Sequence, residues 1–501
     1  MAAIVLAVVL VNFIWMPGEF QDGDPGAWRE EARSLLLRGE LSVPADYAKS
    51  WGEPGRYYVL NDSNGRYYSK YGIANMLFAL PPMWMQKALG YDISARGGVP
   101  SLLLFNLWYV AWSAVLAALL FSLSAHYSNR ISHRVLYVVA VMYGTFLWYY
   151  ERAQSSELPQ TLLFTGLFMA LVPFLRTLGE RGGRVFDRRA AACLSVVWLL
   201  AALLVFTRVL YGLLLPLVVC LAAHEIVRPR SWRELRSCRP VLIAALLVPP
   251  LLIVALLALV NQVKFGAPWL TGYHQWHAET HWPVGRLADG LWGFLFSPRF
   301  SIFLYFPVLV FALPGLRQFA ARHRVEALSL LAIFGVFLLF LAKVPSWAGE
   351  WAYGPRYLLF ILPVLSLPFL TFAEGIRERV HAWPARAWAL AALIGCGYSA
   401  YLQAQVNRLP FYMYYWARHG ANSSPELVAY FYERHTGTIC DDLLRHRGNL
   451  ESAPFFPELK RHASPEALAE YKEVIGSMVQ RGNLYWNIPP EMRRSLQFPM
   501  R

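Results

Sequence analysis

The stretches FQDGDPGAWREEARSLLLRGEL, residues 20–41, and RYYVLNDSNGRYYSKYG, residues 56–72, belong to the longest polar passage before the C-terminal tail. This passage follows a first apolar run at residues 2–16, and most of the chain from its end to about residue 405 is apolar. Two aspartates, a lysine and many tyrosines therefore lie just outside the first apolar run. The pattern predicts a polar loop at the surface of a membrane, with functional groups gathered in it.

The composition is that of a membrane protein. Of the 501 residues, 56% are hydrophobic and 16% are charged, whereas soluble proteins carry about 25% charged residues. Several apolar runs approach or exceed the roughly 17–25 residues that cross a bilayer. The sequence predicts an all-α polytopic bundle of about 11 transmembrane helices, at residues 2–16, 101–124, 135–150, 158–175, 191–206, 210–225, 241–261, 301–316, 326–344, 356–373 and 387–404.

The arginines predict the orientation of this bundle. The formal net charge is +14, from 46 basic and 32 acidic residues. Basic clusters recur in the connections on one predicted side, whereas Arg152, Arg208 and Arg356 alone fall in the short connections on the other. Because basic loops stay on the cytoplasmic side, we interpret the charge as a topology signal and exclude nucleic acid as a partner. The tail, residues 406–501, is then predicted outside, with no motif that assigns it a role.

The predicted first outer loop, residues 17–100, begins with a helix. Asp24 followed by Pro25 is typical of a helix start, with the acid at the N-cap and proline in the first turn. Trp28 and Ala32 fall on one face, so we expect the helix to lie on the membrane with that face down. Gly39 is expected to end it.

Two further elements complete this loop. Tyrosine-rich segments on both sides of residues 61–65 predict a β-hairpin around an Asn-Gly turn. Residues 73–89 are apolar, but a span there would invert the arginine pattern. We therefore interpret them as a short helix on the outer leaflet, broken by Pro81 and Pro82.

The candidate catalytic acids are Asp22 and Asp24. A carboxylate at this place can act as a general base or hold an acceptor hydroxyl by a hydrogen bond. The alternative is a solvated acid or a helix cap. Glu157 lies at the start of a span, where a charge is costly to bury and often functional. An ion pair with Arg152 or Arg208 is the alternative for Glu157.

Two outer arginines are candidates for binding phosphate. Arg208 ends one apolar run and Arg356 begins another. Guanidinium groups match phosphate oxygens and stabilise charge on a departing phosphate. For Arg356 the alternative is an interfacial arginine in an aromatic belt.

The second large outer loop, residues 262–300, is rich in histidine and tryptophan. His274, His277, His281 and Glu279 could bind a divalent metal, but their spacing matches no standard zinc set. The neighbouring tryptophans favour a surface that stacks on a sugar. The five cysteines form neither a disulfide framework nor a metal-ligand spacing. No metal and no other cofactor is expected.

These motifs resemble those of the polytopic GT-C glycosyltransferases. The elements concerned are GDPGAW at 23–28, YYSKYG at 67–72, PPMW at 81–84 and the GPRY at 354–357. That group includes protein O-mannosyltransferases, lipid A aminoarabinose transferases and related bacterial enzymes that use polyprenyl-phosphate sugars. The resemblance covers about residues 1–405, does not include the tail, and lacks the family's His-Pro-Pro element.

The resemblance implies a glycosyltransferase with its site on the outer face, in a bacterial plasma membrane. Asp24 matches the family's catalytic acid, with Asp22 as the near alternative and Glu157 as an assisting acid. Lys70 and Arg356, with Arg208, are implied to bind the phosphate of the donor. Sugar and acceptor contacts are expected from nearby aromatic residues and one histidine: Tyr68, Tyr71, Tyr273, His274, Trp351 and Tyr353.

The resulting hypothesis is transfer of a sugar from a polyprenyl-phosphate donor to a hydroxyl of a lipid, glycan or protein, with inversion. A lipid or polysaccharide transporter is one alternative, but it would bury charges near the bilayer midplane. A non-catalytic scaffold is another. A ligase using a pyrophosphate carrier would need more cations than the outer loops offer.

Overall fold

The computed structural model describes residues 1–17, 24–50, 55, 57–94, 99–181, 187–227, 240–275, 286–297, 300–344, 353–378, 381–408 and 465. These residues form one two-stranded hairpin and eighteen α-helices. The elements are α1 (Ala2–Ile14), α2 (Asp24–Arg38), α3 (Ala45–Ser50), β1 (Tyr58–Asn61), β2 (Arg66–Ser69), α4 (Ile73–Ala88), α5 (Val99–Ser124), α6 (Ile131–Tyr143), α7 (Leu147–Arg152), α8 (Glu157–Arg181), α9 (Arg188–Thr207), α10 (Leu214–Val227), α11 (Pro240–Phe265), α12 (Arg286–Leu295), α13 (Ile302–Tyr305), α14 (Val308–Arg322), α15 (Arg324–Lys343), α16 (Leu362–Leu365), α17 (Pro368–Glu378) and α18 (Trp383–Arg408).

The chain is an integral membrane protein. Six helical segments among the described residues are long and apolar enough to cross a bilayer. They correspond to α5, α8, α9, α10 with the 3-10 turn before it, α11 and α15, all of which the sequence predicts as spans. The all-α membrane fold is therefore confirmed, and the number eleven stays a prediction. Most of the predicted tail lies outside the described residues.

Three predicted spans, 135–150, 301–316 and 356–373, differ from single continuous helices. The first divides into α6 and α7, and the second into α13 and α14. The two breaks face each other, because the amide of Phe146 donates a 3.0 Å hydrogen bond to the carbonyl of Tyr305. The third contains a 3-10 turn at Arg356–Leu358 before α16 and α17. Irregular backbone at membrane depth is tolerated where protein groups pair with it.

The expectation that Pro81 and Pro82 break the helix at 73–89 is wrong. Helix α4 runs from Ile73 to Ala88 with both prolines inside it. Pro82 cannot donate to the carbonyl of Phe78 four residues earlier. The indole of Trp108 on α5 donates to that carbonyl instead, at 3.1 Å, so the carbonyl that Pro82 leaves free is paired and the helix continues.

The predicted hairpin is confirmed. Strands β1 and β2 pair antiparallel, with Tyr58 opposite Ser69 and Asn61 opposite Arg66. Gly65 completes the turn at φ +66°, a backbone conformation that glycine adopts without steric cost. The hairpin returns the chain towards the bundle, so Lys70 and Tyr71 directly follow its second strand.

The predicted helix at Asp24 is also confirmed, but its polar face is not exposed as expected. Helix α2 ends at Arg38, and Gly39 follows with φ +70°. The face that was expected to lie on the membrane is instead buried within the protein, with Trp28 and Ala32 at 3% and 0% exposure, and the charged residues that follow Trp28 are buried too. Each of these charges has a partner from another part of the chain or from α2. A buried charge requires such pairing, and sequence periodicity does not report it.

Side-chain amides join the elements that surround this helix. Asn75 of α4 donates to the carbonyl of Thr207 at the end of α9, at 2.9 Å. Asn61 of the hairpin donates to Val263 near the end of α11, at 3.1 Å. These bonds fix the hairpin and α4 against the ends of two spans. The polar loop therefore packs directly on these ends of the two spans.

Candidate active site

The carboxylate of Asp24, the first residue of α2, is held from two directions. The phenol of Tyr71 donates a hydrogen bond to Oδ1. Nη1 of Arg356 lies 3.4 Å from Oδ2. Tyr71 follows the hairpin, and Arg356 begins the 3-10 turn before α16. The fold therefore brings together two residues, Asp24 and Arg356, that the sequence predicts for one site.

The surroundings of Asp24 favour its ionised form. Burial raises the pKa of this carboxyl, but the opposing influences are larger in sum and the pKa lies below its usual value. Four neighbours lower it, in decreasing order: the charges of Arg356 and Lys70, the hydrogen bond from Tyr71 and the charge of Arg208. The carboxylate is therefore ionised at neutral pH, which is the state that accepts a proton or a hydrogen bond from a hydroxyl.

The buried ammonium of Lys70 lies among tyrosine rings. Its Nζ is 5.3 Å from the ring centroid of Tyr71, 5.5 Å from that of Tyr273 and 5.7 Å from that of Tyr57. Aromatic faces within about 6 Å attract a cation. The rings hold the charge near Asp24. Burial raises the pKa of Tyr273 to about 12, so this phenol stays protonated and can donate a hydrogen bond.

Arg208, which follows α9, is paired with Glu157 at the start of α8. Its Nη2 lies 2.7 Å from Oε1 of Glu157, and the two side chains are 9% and 2% exposed. The same nitrogen lies 3.4 Å from Oγ of Ser156. The ion-pair alternative for Glu157 is therefore seen in the structure. A direct role of Glu157 in chemistry stays a prediction.

Tyr357 connects the two arginines. The guanidinium carbons of Arg356 and Arg208 lie 5.1 and 5.2 Å from the centroid of its ring. Nη2 of Arg356 is 3.5 Å from its hydroxyl oxygen. Two guanidinium groups thus share one aromatic ring beside Asp24. Such an arrangement of forked donors is suited to an anion with several oxygens, such as a phosphate.

A buried ion pair connects two of the segments that form the site. Nζ of Lys264, at the end of α11, lies 2.7 Å from Oε1 of Glu31 on α2, and the two side chains are 1% and 0% exposed. The same ammonium donates to the backbone carbonyl of Tyr71 at 2.8 Å. Burial raises the pKa of Glu31, and Lys264 opposes that shift. Lys264 therefore joins α2, which carries Asp24, to Tyr71, which binds Asp24.

The chain after α11 packs closely on the hairpin. Gln275 donates to the carbonyl of Leu60 at 2.9 Å. Gly272 lies against the backbone of Lys70, where an added Cβ would be 2.0 Å from the carbonyl oxygen. The position therefore requires glycine. This contact places Tyr273 beside the Lys70 ammonium.

Replacing Gly272 with Ala is expected to lower turnover roughly 10- to 100-fold, because a shift of about 1 Å in a positioning group has effects of this size. The methyl group forces Lys70 and Tyr273 apart. The measurement is the initial rate of sugar transfer in proteoliposomes. Gly212→Ala is the matched control, since a Cβ there meets nothing within 4 Å. Equal rates in the two variants would contradict the packing requirement.

The other residues predicted for sugar or acceptor contact have other partners in the structure or lie outside the described ranges. The hydroxyl of Tyr68 accepts a hydrogen bond from Asn64 in the hairpin turn, at 3.2 Å. The ring of His274 contacts the carbonyl of Thr271 in its own loop, at 2.5 Å. Tyr353 is buried, and its carbonyl accepts from Tyr150 at 2.9 Å. Five further residues lie outside the described residues, namely Trp351 of the predicted contacts, the predicted acid Asp22, and His277, Glu279 and His281 of the predicted metal set.

No group of three or more potential metal ligands comes together among the described residues. Most of the predicted histidine cluster lies outside those residues. Absence of a cofactor remains an expectation.

Sequence reasoning missed Tyr357, Lys264 and Glu31. Lys264 had a detectable signal, since a charge at the end of an apolar run is costly unless it has a partner. Tyr357 directly follows Arg356 in the GPRY element. Glu31 had no signal of its own, because acids in the first turns of a helix are commonly solvated and favoured there.

Comparison with solved structures gives likenesses of fold at low sequence identity. The archaeal oligosaccharyltransferase AglB from Archaeoglobus fulgidus, in complex with an inhibitory peptide and a dolichol-phosphate, matches with a TM-score of 0.50 and 12% identity, over 87% of this chain and 59% of that chain. ArnT from Cupriavidus metallidurans in the apo state matches with a TM-score of 0.50 and 14% identity, over 97% of this chain and 76% of that chain. The chain thus spans 59% of the length of the AglB structure that it matches.

No protein-family profile and no curated protein sequence matches the chain. The likeness therefore concerns the fold, and activity must be argued from the site. AglB and ArnT are both GT-C glycosyltransferases. With its helical membrane bundle, its first loop packed on the bundle and its likeness to these two structures, the chain has the GT-C fold.

Proposed function

We propose that the chain is a membrane glycosyltransferase that moves a sugar from a polyprenyl-phosphate donor to an acceptor hydroxyl. The observation that carries the proposal is the Asp24 carboxylate, held by Tyr71 and Arg356 among three cations. The AglB structure contains a dolichol-phosphate, so a protein of this fold binds a lipid phosphate. The acceptor is a hydroxyl of a lipid, a glycan or a protein.

The charges around Asp24 favour a donor with one phosphate. The site contains three cations, Lys70, Arg208 and Arg356. It also contains two carboxylates, those of Asp24 and Glu157, so the net charge is +1. A sugar joined to a polyprenyl chain through one phosphate carries one negative charge. A pyrophosphate linkage carries two and would be left only partly compensated. Charge matching at a buried site matters because an unpaired charge is expensive there.

In the proposed reaction the acceptor oxygen attacks the anomeric carbon of the sugar. The new bond joins that carbon to the acceptor oxygen, and the bond between the carbon and the phosphate oxygen breaks with inversion. Asp24 takes the proton of the acceptor hydroxyl. Arg356 and Lys70 stabilise the negative charge that gathers on the departing polyprenyl phosphate. Tyr71 holds the carboxylate in place through its phenol.

The cations are proposed to change partner when the donor binds. In the free protein Arg356 and Lys70 lower the pKa of Asp24, which makes it a weak base. A bound phosphate shares their charge, and this raises the pKa of Asp24 towards the value a base needs. Donor binding therefore activates the base.

Replacing Arg356 with Gln is expected to move the acidic limb of the pH profile of kcat/KM to higher pH. The reason is that kcat/KM reports the pKa values of the free enzyme. Arg356 is the cation that lowers the pKa of Asp24 most, so its loss raises that pKa. The profile is measured with wild type, Arg356→Gln and the control Arg317→Gln, which lies on α14 away from this site. If the acidic limb of Arg356→Gln lay at the wild-type pH, Asp24 would not be the group whose ionisation that limb reports.

The donor class is tested with two lipids that share one sugar and differ in carrying one or two phosphates. Proteoliposomes that contain either lipid are given a crude acceptor extract, and transferred sugar is counted. Faster transfer from the monophosphate lipid is expected. Transfer only from the pyrophosphate lipid would contradict the proposed donor class. Binding of neither lipid, across a panel of sugars, would contradict the function.

A further inference from the structure

The arginine-rich end of the bundle contains a cavity of about 300 Å³. Its walls come from α8, from the first turns of α9 and α15, and from the end of α5 with the residues after it. Helix α8 starts in the Asp24 site at Glu157, so Arg176 in the cavity wall lies about 28 Å further along its axis, at about 1.5 Å per residue. The cavity is therefore separate from the candidate active site.

The wall of this cavity changes from apolar to charged along α8. Phe168 and Val172 line its apolar part, nearer the middle of the helix. Arg176 and Glu180 follow at intervals of one turn, and Arg189 of α9 lines the same side. An apolar wall that ends in charges at the mouth has the polarity of a phospholipid, whose chains lie deeper in the bilayer than its headgroup.

Two charged residues of the cavity wall are already paired with each other. Glu326 of α15, which is 1% exposed, forms an ion pair with Arg176 of α8. Nδ1 of His323 lies 3.6 Å from the same carboxylate, and the ring of Tyr127 packs edge-on against His323 at 4.9 Å. Because the Glu326 carboxylate is already paired with Arg176, it forms part of the wall and is not available to a ligand.

Two charges of opposite sign remain at the mouth. Arg189 and Glu180 are both exposed, and neither forms an ion pair within the ranges that the structure describes. Their charges have opposite signs, and both residues line the same cavity. A ligand that matches them needs an anionic group for Arg189 and a cationic group for Glu180.

We propose that this cavity binds the phosphoethanolamine headgroup of a phospholipid from the leaflet on the arginine-rich side. The phosphate is bound by Arg189, and the primary ammonium by Glu180. An ammonium with three N–H donors can hydrogen-bond a carboxylate, which a quaternary choline group cannot do. An acyl chain leaves the cavity along Met169 and Pro173 of α8, which line it and are partly exposed.

The size and position of the cavity fit this ligand. A volume of about 300 Å³ corresponds to roughly ten water molecules in the liquid, which is enough for a headgroup of about eight non-hydrogen atoms. The site lies at the end of membrane-spanning helices, where headgroups are at high local concentration. Basic pockets between spanning helices on this side of a membrane are known to hold lipid phosphates. The proposal does not depend on the proposed transferase activity.

The test is a lipid titration of the purified, delipidated protein followed by native mass spectrometry. The probes are dioleoyl phosphatidylethanolamine, the choline and glycerol lipids with the same chains, and soluble O-phosphoethanolamine. The first bound phosphatidylethanolamine is expected to be tighter than either other lipid. Arg189→Gln is expected to weaken all three lipids roughly fivefold, the scale of a partly exposed charge contact. Glu180→Gln is expected to remove the preference for ethanolamine.

Arg188→Gln is the matched control, because Arg188 is also exposed on the first turn of α9 and is not among the described residues that line the cavity. All three variants change exposed side chains, so each is expected to fold. Equal affinity for the three lipids, or a preference for the glycerol lipid, would overturn the headgroup assignment. Unchanged binding in both Arg189→Gln and Glu180→Gln would overturn the site. Soluble O-phosphoethanolamine that binds as tightly as the lipid would overturn the lipid as ligand.

Discussion

Replacing Asp24 with Asn is expected to lower turnover by roughly 100- to 10,000-fold, the contribution that a positioned general base makes. The amide cannot take the proton of the acceptor hydroxyl. Its carbonyl oxygen can still accept the hydrogen bond from Tyr71, and Asn has nearly the shape of Asp. Folding and donor binding are therefore expected to persist. The measurement is the initial rate of sugar transfer in proteoliposomes, with thermal unfolding in detergent to verify the fold.

Asp62→Asn is the matched control, since Asp62 is an exposed aspartate in the hairpin turn. It is expected to keep the wild-type rate and melting temperature. A wild-type rate in Asp24→Asn would remove Asp24 from the role of base. Asp24→Glu is a second variant that tests the role of the carboxylate. It keeps the carboxylate but moves it by one methylene, and some activity should return if the group acts as a base.

The second large effect is on stability, and it concerns the ion pair of Lys264 and Glu31. Lys264→Met leaves the fully buried carboxylate of Glu31 without its partner. Removal of one member of a buried pair costs about 3–5 kcal/mol, whereas replacement of both members by apolar residues is often neutral. The variant Lys264→Met is therefore expected to unfold at a clearly lower temperature, and the double variant Lys264→Met/Glu31→Leu to recover most of the loss.

The double variant separates stability from positioning. It removes the 2.8 Å bond from Lys264 to the carbonyl of Tyr71 without leaving a buried charge. If Lys264 positions Tyr71 and so Asp24, kcat should stay low in the double variant while the affinity for the donor is retained. Lys49→Met, at an exposed lysine on α3, is the control. Full recovery of kcat together with stability would limit Lys264 to a structural role.

The sequence predicts the local elements of this fold well. The helix from Asp24 to Arg38 and the hairpin around Gly65 have short-range signals, namely a proline in the first turn and glycines where φ is positive. The long spans have a compositional signal that needs no tertiary information. These features were predictable because each depends on residues that are neighbours in the chain.

The errors came from contacts between distant segments. Proline weakens a helix by leaving a carbonyl unpaired, but Trp108 pairs the carbonyl that Pro82 leaves free. The break after α6 is stable because Phe146 bonds to Tyr305, at a second break. Neither Trp108 nor Tyr305 can be identified as a partner from the sequence of the segment that it stabilises. A rule based on that segment alone therefore predicts the wrong local structure.

The sequence predicts residues of the candidate site but not the contacts between them. Asp24, Lys70 and Arg356 were selected as single residues from charge, place and resemblance, and the fold brings them together. The hydrogen bond between Tyr71 and Asp24 joins residues 47 positions apart, and no sequence pattern predicts that geometry. Their roles in chemistry stay predictions until turnover is measured.

The most direct test of the central claim is the release of free polyprenyl phosphate from a polyprenyl-phosphate sugar by the purified protein in liposomes. A panel of such donors is supplied with a crude acceptor extract, and lipid phosphate and transferred sugar are counted together. We predict release from one donor, in equal amount to the sugar transferred, and its loss in Asp24→Asn. Donor that binds and crosses the membrane intact, with no phosphate released, would contradict a transferase and indicate a transporter.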